Sequence, residues 1–400
     1  MIAFACNPAG SGEHWLGWGW AEAAAKSHDV TLLTWDRFGQ AIQRHASACG
    51  IKPVYVGVRG IVNRVGDSSG AGRWLRQVIW HRRAGRIAAA LQAQQPFDLV
   101  HQTTFHTFRI PFRAASWGIP AVWGPIAGGE SVPPGFADWL GRLRIAEAAR
   151  RAMNQLALAQ PGVQMSLRRA RVIFVSNQTT LNFLPAWCRE RCIIVPPNAV
   201  RGQPPSHSLQ ERPSGEPLKL LFVGNCVGTR SIPLVFEALR RVQKLPWRFT
   251  IVGSGSSLAE WQSLAEKLSF TDKVIFAGQV PRAELDKYYS ESSVFVFPAL
   301  RDSGGSGLLE AMSHGLAVVC CNWAGPAEVV NETSGVRVSV RDPETTIQEF
   351  AAAFERLHAD PAWRIELGRN AIRRAMEVFS WDRKQAMLEA AYASCLAASR

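Results

Sequence analysis

The sequence predicts an α/β protein of two domains, each a doubly wound parallel sheet with helices on both faces. Short apolar runs of strand length alternate with stretches of helical periodicity along the chain. A segment rich in proline, serine and charge interrupts this alternation at residues 201–217, and the alternation restarts after it. At 400 residues, the chain is also too long for one ordinary hydrophobic core.

The first half opens with a strand, a glycine turn, a helix and a second strand, in the segments "IAFAC", "EHWLGWGWAEAAAKS" and "DVTLLT". Further predicted strands are 53–57, 98–101, 120–123, 172–176 and 192–196. Continuous β-branched runs of this kind are typical of strands that are buried on both faces of a parallel sheet.

The second half repeats the pattern. Its predicted strands are 218–224, 248–253, 273–278, 293–298 and 316–321, and its predicted helices are 232–244, 256–268, 282–290 and 306–314. We therefore predict a first domain over 1–200, a linker over 201–217, a second domain over 218–378 and a terminal helix over 379–400 that crosses back to the first domain. Doubly wound sheets bind ligands at the carboxyl ends of their strands, so we expect the chemistry in a cleft between two such domains.

Composition narrows the class of protein. The chain is 47% hydrophobic and 19% charged, as folded globular proteins are, and its formal net charge of +13 predicts anionic partners. The start, "MIAFACNP", lacks the basic region of a secretion signal, and the apolar runs fall short of the ~18 residues that cross a bilayer. Eight cysteines are scattered through predicted strands and helices, so we expect reduced thiols and a cytoplasmic protein.

The segment "RDSGGSGLLEAM" at 301–312 is the most informative stretch of the chain. A predicted helix starts near Gly305 or Ser306, where free amide N–H groups and bare backbone favour a diphosphate. Glu310, one turn into the helix, is suited to accept hydrogen bonds from the vicinal hydroxyls of a ribose. Asp302 would meet the other end of the ligand. The alternative for this stretch alone is a glycine turn with two solvated acids.

Other patterns favour different chemistry only weakly. Gly10 and Gly12 form part of a dinucleotide fingerprint that lacks its third glycine, which argues against a nicotinamide enzyme. No Asp-x-Asp pair occurs in the chain, so we expect no metal cofactor. The positive charge is not accompanied by a nucleic-acid reading motif, so we expect no nucleic-acid partner.

The segment "FPALRDSGGSGLLEAMSHGLAVVCCNWAGPAEVV" resembles the signature of retaining glycosyltransferase family 4, in which two acids are separated by seven residues. The likeness continues through "LLFVGNCVGTRSIPLVFEAL", "FTIVGSGSSL" and "VIFAGQVPRAELDKYYSESSVFVFP". The segments "GSGEHWLGWGWAEAAAKSHDVTLLT" and "VWGPIAGGESVPP" are similar to a bacterial subgroup of these enzymes. The resemblance implies the GT-B fold, two Rossmann-like domains facing across a cleft, and a nucleotide-sugar donor.

The resemblance also implies roles for individual residues. Glu310 would bind the ribose, Asp302 the transferred sugar, and Arg230 the diphosphate. The full predicted donor site is Gly12, Gly224, Asn225, Arg230, Ser303, Gly304, Gly305, Ser306, Gly307 and Glu310. The chain departs from the family at Asp302, where glutamate is usual, and at Asn225, where arginine is usual. The family's histidine after the fifth strand is also absent, since Gly124 and Pro125 stand there.

The remaining candidates lie in the first half. His101 and His106 follow a predicted strand and are candidates for positioning an acceptor hydroxyl or assisting proton transfer. With Asp302 and Arg230 they complete the predicted catalytic residues. A structural role, capping a helix or filling a cleft wall, is the alternative. Candidate acceptor-side residues are Glu13, Gly128, Gly129 and Glu130. His14, Trp15, Trp18 and Trp20 would allow sugar stacking, but their helical spacing predicts a core position for most of them.

The stretch 71–91 mixes arginines with Trp74 and Trp80 at helical spacing. This pattern fits either a helix on an acidic membrane surface or an ordinary solvated basic face.

We conclude that the sequence predicts a metal-independent retaining hexosyltransferase. Its partners would be a UDP- or GDP-sugar and a glycan or lipid-linked acceptor in bacterial surface polysaccharide assembly, on the cytoplasmic face of the membrane. The alternatives are a nucleotide-sugar 2-epimerase of the same fold and a non-catalytic nucleotide-sugar-binding scaffold.

Overall fold

A computed structural model describes residues 1–10, 12–58, 70–104, 107–141, 143–200, 202–205 and 217–397. The chain divides into two compact units. The first comprises Met1–Gly129, Ala152–Pro197 and Trp381–Arg400, and the second comprises Glu130–Arg151 and Asn198–Ser380. Most of the predicted linker, residues 201 and 206–216, lies outside the described residues.

The first unit contains a seven-stranded parallel sheet in the order β3-β2-β1-β4-β5-β6-β7. Its strands are β1 (Ile2–Ala3), β2 (Thr31–Trp35), β3 (Lys52–Val56), β4 (Val100–Thr103), β5 (Ala121–Ile126), β6 (Val172–Val175) and β7 (Cys192–Ile194). Each coincides with a predicted strand to within about three residues. The apolar runs form strands because both faces of the sheet are covered by helices.

The helices of the first half are α1 (Glu13–Ala25), α2 (Gly39–Ala46), α3 (Gly70–Gln94), α4 (Leu143–Ala159), α5 (Pro161–Arg169) and α6 (Gln178–Phe183). Helix α4 is continuous, and its residues fall on both sides of the division between the units. Inside α1, Trp18 and Trp20 are buried, which confirms their predicted core position.

The second unit contains a six-stranded parallel sheet in the order β10-β9-β8-β11-β12-β13. Its strands are β8 (Leu218–Val223), β9 (Trp247–Val252), β10 (Val274–Gly278), β11 (Val294–Phe297), β12 (Ala317–Cys321) and β13 (Gly335–Val338). Its helices are α7 (Ile232–Arg241), α8 (Leu258–Lys267), α9 (Arg282–Glu291), α10 (Ser306–Ser313), α11 (Ala324–Val329), α12 (Pro343–Ala359) and α13 (Pro361–Phe379). The predicted elements occur in the predicted order, and β13, α11, α12 and α13 are additions to them.

The terminal helix α14 (Trp381–Ala397) belongs to the first unit. Lys26 forms an ion pair with Asp382 at 2.7 Å. Gly19 of α1 lies so close to the Trp381 ring that a Cβ there would be 2.0 Å from Cζ2. The Lys384 ammonium donates to the backbone oxygen of Pro196 at 2.5 Å. Helix α14 is therefore packed into the first unit along its length.

The basic helix α3 packs against the rest of the first unit through its aromatic residue Trp80 and through Arg76. Trp80 is 0% exposed, and its Nε1 donates to the backbone oxygen of Val56 at 2.9 Å. The Arg76 guanidinium lies over the Trp35 ring, 4.6 Å from its centre. Trp80 and Arg76 therefore belong to the interior of the unit and are not available to a membrane surface, whereas Trp74 is exposed. Among the described residues, no helix is long and apolar enough to cross a bilayer.

All eight cysteines are free thiols, as the sequence predicted. Burial raises the pKa of Cys6 and Cys320, each to about 12, so these thiols stay protonated at neutral pH.

Candidate functional site

The predicted glycine turn and helix lie at the carboxyl end of β11 in the second unit. Helix α10 begins at Ser306, as predicted, and Gly305 caps it with φ 60°, a conformation that favours glycine. The loop before it is fixed by two backbone hydrogen bonds, from Leu300 to the Thr229 oxygen and from Gly325 to the Asp302 oxygen, both at 2.9 Å. The start of α10 is thus held rigidly at the edge of the sheet.

The Asp302 carboxylate lies against this helix start. Its Oδ1 accepts hydrogen bonds from the amides of Gly304, at 3.0 Å, and Gly305, at 2.5 Å. Its Oδ2 accepts from Nη1 of Arg230 at 2.6 Å. A carboxylate offers about four acceptor positions, so three donors leave room for one more. The two amides and the guanidinium form a group of hydrogen-bond donors that binds both oxygens of the Asp302 carboxylate.

Arg230 ends a short 3-10 turn, Gly228–Arg230, that follows the loop after β8. Its side chain is 17% exposed, and the guanidinium lies over the Phe297 ring, 4.9 Å from the ring centre. Ser231 follows with φ 48° and precedes α7. The aromatic ring and the ion pair fix the guanidinium in one orientation, which suits a phosphate contact.

Glu310 lies on α10, one turn beyond Ser306. Its Oε1 pairs with Nη1 of Arg282 at 2.9 Å, and its Oε2 accepts from the Tyr289 hydroxyl at 3.2 Å. Burial raises the pKa of Tyr289 well above its ordinary value, and the nearby Glu310 carboxylate raises it further, so the phenol keeps its proton and donates. Glu310 is about a quarter exposed, which leaves its carboxylate open to a ligand.

The other predicted donor residues line the same region of the second unit. Gly224 and Asn225 follow β8, and a Cβ on Gly307 of α10 would lie 3.1 Å from the oxygen of Val223, the last residue of β8. Asn225 is exposed. A Cβ on Gly325 would lie 2.6 Å from the Gly304 nitrogen, so α11 packs directly on the loop that contains Ser303. The structure therefore brings together the predicted donor residues of the second half.

A buried charged cluster neighbours the site within the second unit. Glu147 is paired with Arg150 at 3.2 Å and with Arg301 at 3.4 Å. Burial alone would raise the pKa of Glu147, but the hydrogen bond from Arg150 and the charge of Arg301 outweigh it, so the pKa lies below its usual range. Glu130 is buried, groups with this unit, and its charge acts on Arg301, whose pKa is lowered mainly by burial.

The remaining glycine candidates belong to the first unit. Gly12 caps α1 with φ 55°, and Glu13 is the first residue of that helix. Gly128 has φ 106°, and its oxygen accepts from Asn154 Nδ2 at 2.6 Å. A Cβ on Gly129 would lie 2.8 Å from the Thr180 Cα, so this glycine permits close packing. Gly128 and Gly129 thus have structural reasons for being glycine.

His101 is buried in the first unit, with both ring nitrogens occupied. Nδ1 is 2.7 Å from the Tyr392 hydroxyl, and Nε2 is 2.8 Å from the Gly124 oxygen. Burial lowers the pKa of His101 to about 3, so Nε2–H donates to the carbonyl and Nδ1 accepts from the phenol. Both ring nitrogens are therefore engaged, as the structural alternative for His101 requires, and its part in proton transfer stays a prediction. His106 lies outside the described residues.

The sequence of this region matches a known family. Residues 207–375 fit the family described as Glycosyl transferases group 1. This part of the chain is similar to the group 1 glycosyltransferases. It contains Arg230, Asp302, the Gly304 and Gly305 amides and Glu310.

The chain is also similar to a curated relative and, in its fold, to two solved structures. The chain is 30% identical over 160 residues to the lipopolysaccharide core biosynthesis mannosyltransferase LpcC of Rhizobium leguminosarum bv. viciae, covering 38% of this chain and 44% of the relative. The match to LpcC and to three other curated relatives covers between 41% and 50% of the length of each relative.

Sucrose-phosphate synthase from Thermosynechococcus elongatus is similar over 99% of this chain and 98% of its own, with a TM-score of 0.66 and 19% identity. Anabaena Alr3699/HepE in complex with UDP and glucose is similar over 98% of both chains, with a TM-score of 0.59 and 14% identity. At these identities the likeness concerns the fold, which is GT-B, as the sequence predicted.

Two partners of the site were missed by the sequence reasoning. Arg282 and Tyr289 of α9 both contact Glu310. They are seven residues apart in one helix and therefore project from the same side of it. This spacing was a signal that the residues could serve one site, but nothing in it identifies Glu310 as their partner.

Proposed function

We propose that the protein is a retaining glycosyltransferase that moves a sugar from a nucleoside-diphosphate sugar to a hydroxyl of a glycan or lipid-linked acceptor. One observation carries the proposal. At the start of α10, the amides of Gly304 and Gly305 and the Arg230 guanidinium converge on the two oxygens of one carboxylate. Hydrogen-bond donors that converge in this way are what an anionic leaving group needs.

The nucleotide-sugar donor is bound by groups on both sides of the start of α10. The amides of Ser306 and Gly307, in the first turn of α10, have no intrahelical acceptor, so they are available to the diphosphate together with Arg230. Glu310 accepts hydrogen bonds from the ribose hydroxyls. Asp302 uses its remaining acceptor position for a hydroxyl of the transferred sugar, and its bonds to Gly304 and Gly305 keep it in place.

The same groups account for retention. As the bond from the anomeric carbon to the diphosphate breaks, negative charge develops on the leaving oxygen. Arg230 and the amides of Ser306 and Gly307 stabilise that charge. That oxygen accepts the proton of the acceptor hydroxyl, whose oxygen bonds to the anomeric carbon on the face from which the diphosphate departs. No enzymic base is needed. Proton NMR of the product tests this step: an α-linked donor should give an α-linked product, and a β-linked product would refute the mechanism.

The proposed leaving-group stabilisation needs no metal ion, because Arg230 and the amides supply the positive charge. Transfer should therefore persist in EDTA. Loss of transfer on chelation, with recovery on adding manganese, would contradict this account.

The proposed donor is a UDP- or GDP-sugar. The structurally similar Alr3699/HepE, solved with UDP and glucose, supports the uridine nucleotide. Thermal unfolding with UDP, GDP, ADP and their sugars tests the choice, because a ligand at 100 times its dissociation constant adds about 2.7 kcal/mol to stability. The likeness to a lipopolysaccharide mannosyltransferase supports a place in bacterial surface polysaccharide assembly, on the cytoplasmic face of the membrane.

Asn225 favours a second candidate, a subunit that binds nucleotide sugars without transferring them. An amide at this exposed position supplies no positive charge for the leaving group. Calorimetric binding of a UDP-sugar or GDP-sugar without turnover, across a panel of glycan and lipid-linked acceptors, would favour this candidate over the transferase. Restored transfer in Asn225→Arg would then identify the missing charge as the cause.

A further inference from the structure

The outward side of helix α4 is apolar. Ile145 is 76% exposed and Leu156 69% exposed, and Met153 is 52% exposed. Ile145 and Leu156 are eleven residues apart, which at 3.6 residues per turn places them on the same side of the helix. The exposed residues Ala149 and Ala152 lie between them on this side. Together these five residues form a continuous apolar stripe along a helix of 17 residues.

The inward side of α4 is already occupied. Glu147, Asn154 and Ala157 are buried, and Asn154 accepts from Arg109 Nε at 2.7 Å through its side-chain oxygen. Glu147 holds Arg150 and Arg301. The orientation of the helix is therefore fixed by its polar side, and the apolar stripe faces away from these contacts. This is the reverse of an ordinary surface helix, whose apolar side faces the core.

The charges on the exposed part of α4 are all positive. Arg144 and Arg151 are exposed and lie on one flank of the stripe. Arg144 also pairs with Asp138, which is almost fully exposed, at 3.3 Å, and such a pair is weak in water. Arg151 donates to the Val132 oxygen at 2.7 Å. The acid of this helix, Glu147, is buried. The surface thus combines apolar side chains with positive charge.

We propose that the apolar stripe of α4, with Arg144 and Arg151 beside it, docks on an anionic lipid surface. Ile145, Met153 and Leu156 enter the boundary between headgroups and acyl chains, while the arginines contact lipid phosphates. A net charge of +13 attracts the whole chain to the same surface. A second copy fits less well, because a two-fold contact through α4 brings the same arginine flank of both helices into one interface.

Membrane contact is thus assigned to α4, whereas the sequence pattern of α3 fitted either a membrane-surface helix or a solvated basic face. Trp80 of α3 is 0% exposed, so the aromatic residues of α3 do not form a continuous exposed surface. Trp74, 49% exposed, provides the direct comparison between the two helices.

Co-sedimentation of the full chain with vesicles of phosphatidylcholine and phosphatidylglycerol at 3:1 tests the proposal, and it requires no transfer activity. The double variant Ile145→Gln/Leu156→Gln should bind at least about tenfold more weakly than the parent chain. The matched control is Ile275→Gln/Val378→Gln, which removes two exposed apolar side chains elsewhere and should bind as the parent does. Trp74→Gln should also bind as the parent does. Thermal unfolding verifies that each variant is folded.

The contribution of the positive charges to vesicle binding is tested separately. Arg144→Gln should weaken binding to these vesicles, and binding should fall as salt is raised. Vesicles of phosphatidylcholine alone should bind more weakly than the anionic ones. Parent-like binding by Ile145→Gln/Leu156→Gln, no binding by the parent chain, or a larger loss in Trp74→Gln would each overturn the proposal. Self-association of the parent that the α4 double variant abolishes, without vesicle binding, would instead identify a second copy as the occupant.

Discussion

The two units begin a helix in the same way but surround it differently. Helix α1 of the first unit is capped by Gly12 with φ 55°, and helix α10 of the second unit by Gly305 with φ 60°. At α1, a Cβ on Gly12 would meet nothing within 4 Å, and the first helical residue is the acid Glu13. At α10, two amides and Arg230 converge on Asp302. The two helix starts therefore share a glycine cap, and the guanidinium of Arg230 distinguishes the start of α10.

The largest expected effect comes from removing that guanidinium. Arg230→Ala should lower kcat about 10²- to 10³-fold, about 3 to 4 kcal/mol, because the leaving group loses a positioned cation. Arg240→Ala removes an exposed arginine from α7 and is the control. Steady-state transfer measurements with both variants decide the point. A kcat in Arg230→Ala equal to that of the control would remove Arg230 from the catalytic site.

Glu310→Gln tests the nucleoside end of the same site. The expected loss is about 1.5 to 3 kcal/mol of donor affinity, because a neutral amide replaces a charged acceptor of hydroxyl hydrogen bonds. Calorimetric titration with the nucleotide measures it. Glu332→Gln, at a carboxylate that is 88% exposed, should bind the donor unchanged. Equal affinities for both variants would show that Glu310 does not contact the ribose.

The first unit should respond to acid through His101. Burial lowers its pKa from 6.5 to about 3, so below pH 6.5 the unfolded chain binds a proton that the folded unit does not. The free energy of unfolding should therefore fall by about 2 kcal/mol between pH 6.5 and 5. Calorimetry of His101→Gln should show a smaller fall, whereas the exposed His45→Gln should match the parent. An unchanged pH dependence in His101→Gln would contradict the buried neutral imidazole.

The smallest effect separates the two glycine caps directly. Gly12→Ala should destabilise by about 1 kcal/mol, since the cost is backbone strain alone. Gly305→Ala carries the same strain, and its Cβ would also lie 2.7 Å from Leu308 Cδ1, so the loss should be greater. Calorimetric unfolding compares the two variants. A larger loss at Gly12 would mean that the start of α1 is more constrained than its open surroundings indicate.

Much of the fold was predictable because it follows from local pattern. The run 316–321 contains only apolar residues, and the strand β12 lies within it. The start of α10 at Ser306 followed from small residues before an apolar helical stretch. By contrast, β13 was missed because "GVRV" is short and contains a charged residue in an otherwise apolar run.

The site was predictable in its members but not in their contacts. Asp302 and Arg230 were singled out separately, yet they are 72 residues apart, and their 2.6 Å pair depends on two side-chain rotamers. The position of His101 after a strand suited either a catalytic or a structural role. The partner that favours the structural role is the hydroxyl of Tyr392, 291 residues further along the chain. Contacts over such distances in sequence leave no local pattern.

The return of α14 to the first unit affects the order in which the chain can fold during its synthesis. The second unit ends at Ser380, so all of its residues leave the ribosome before α14 does. The first unit, although its sheet is made first, must wait for Lys384 to reach Pro196 and for Tyr392 to reach His101. Domains of a nascent chain generally fold from the N-terminus onwards. Here the unit whose sheet is made first is completed last, and the buried imidazole of His101 lacks its phenol partner until α14 has been translated.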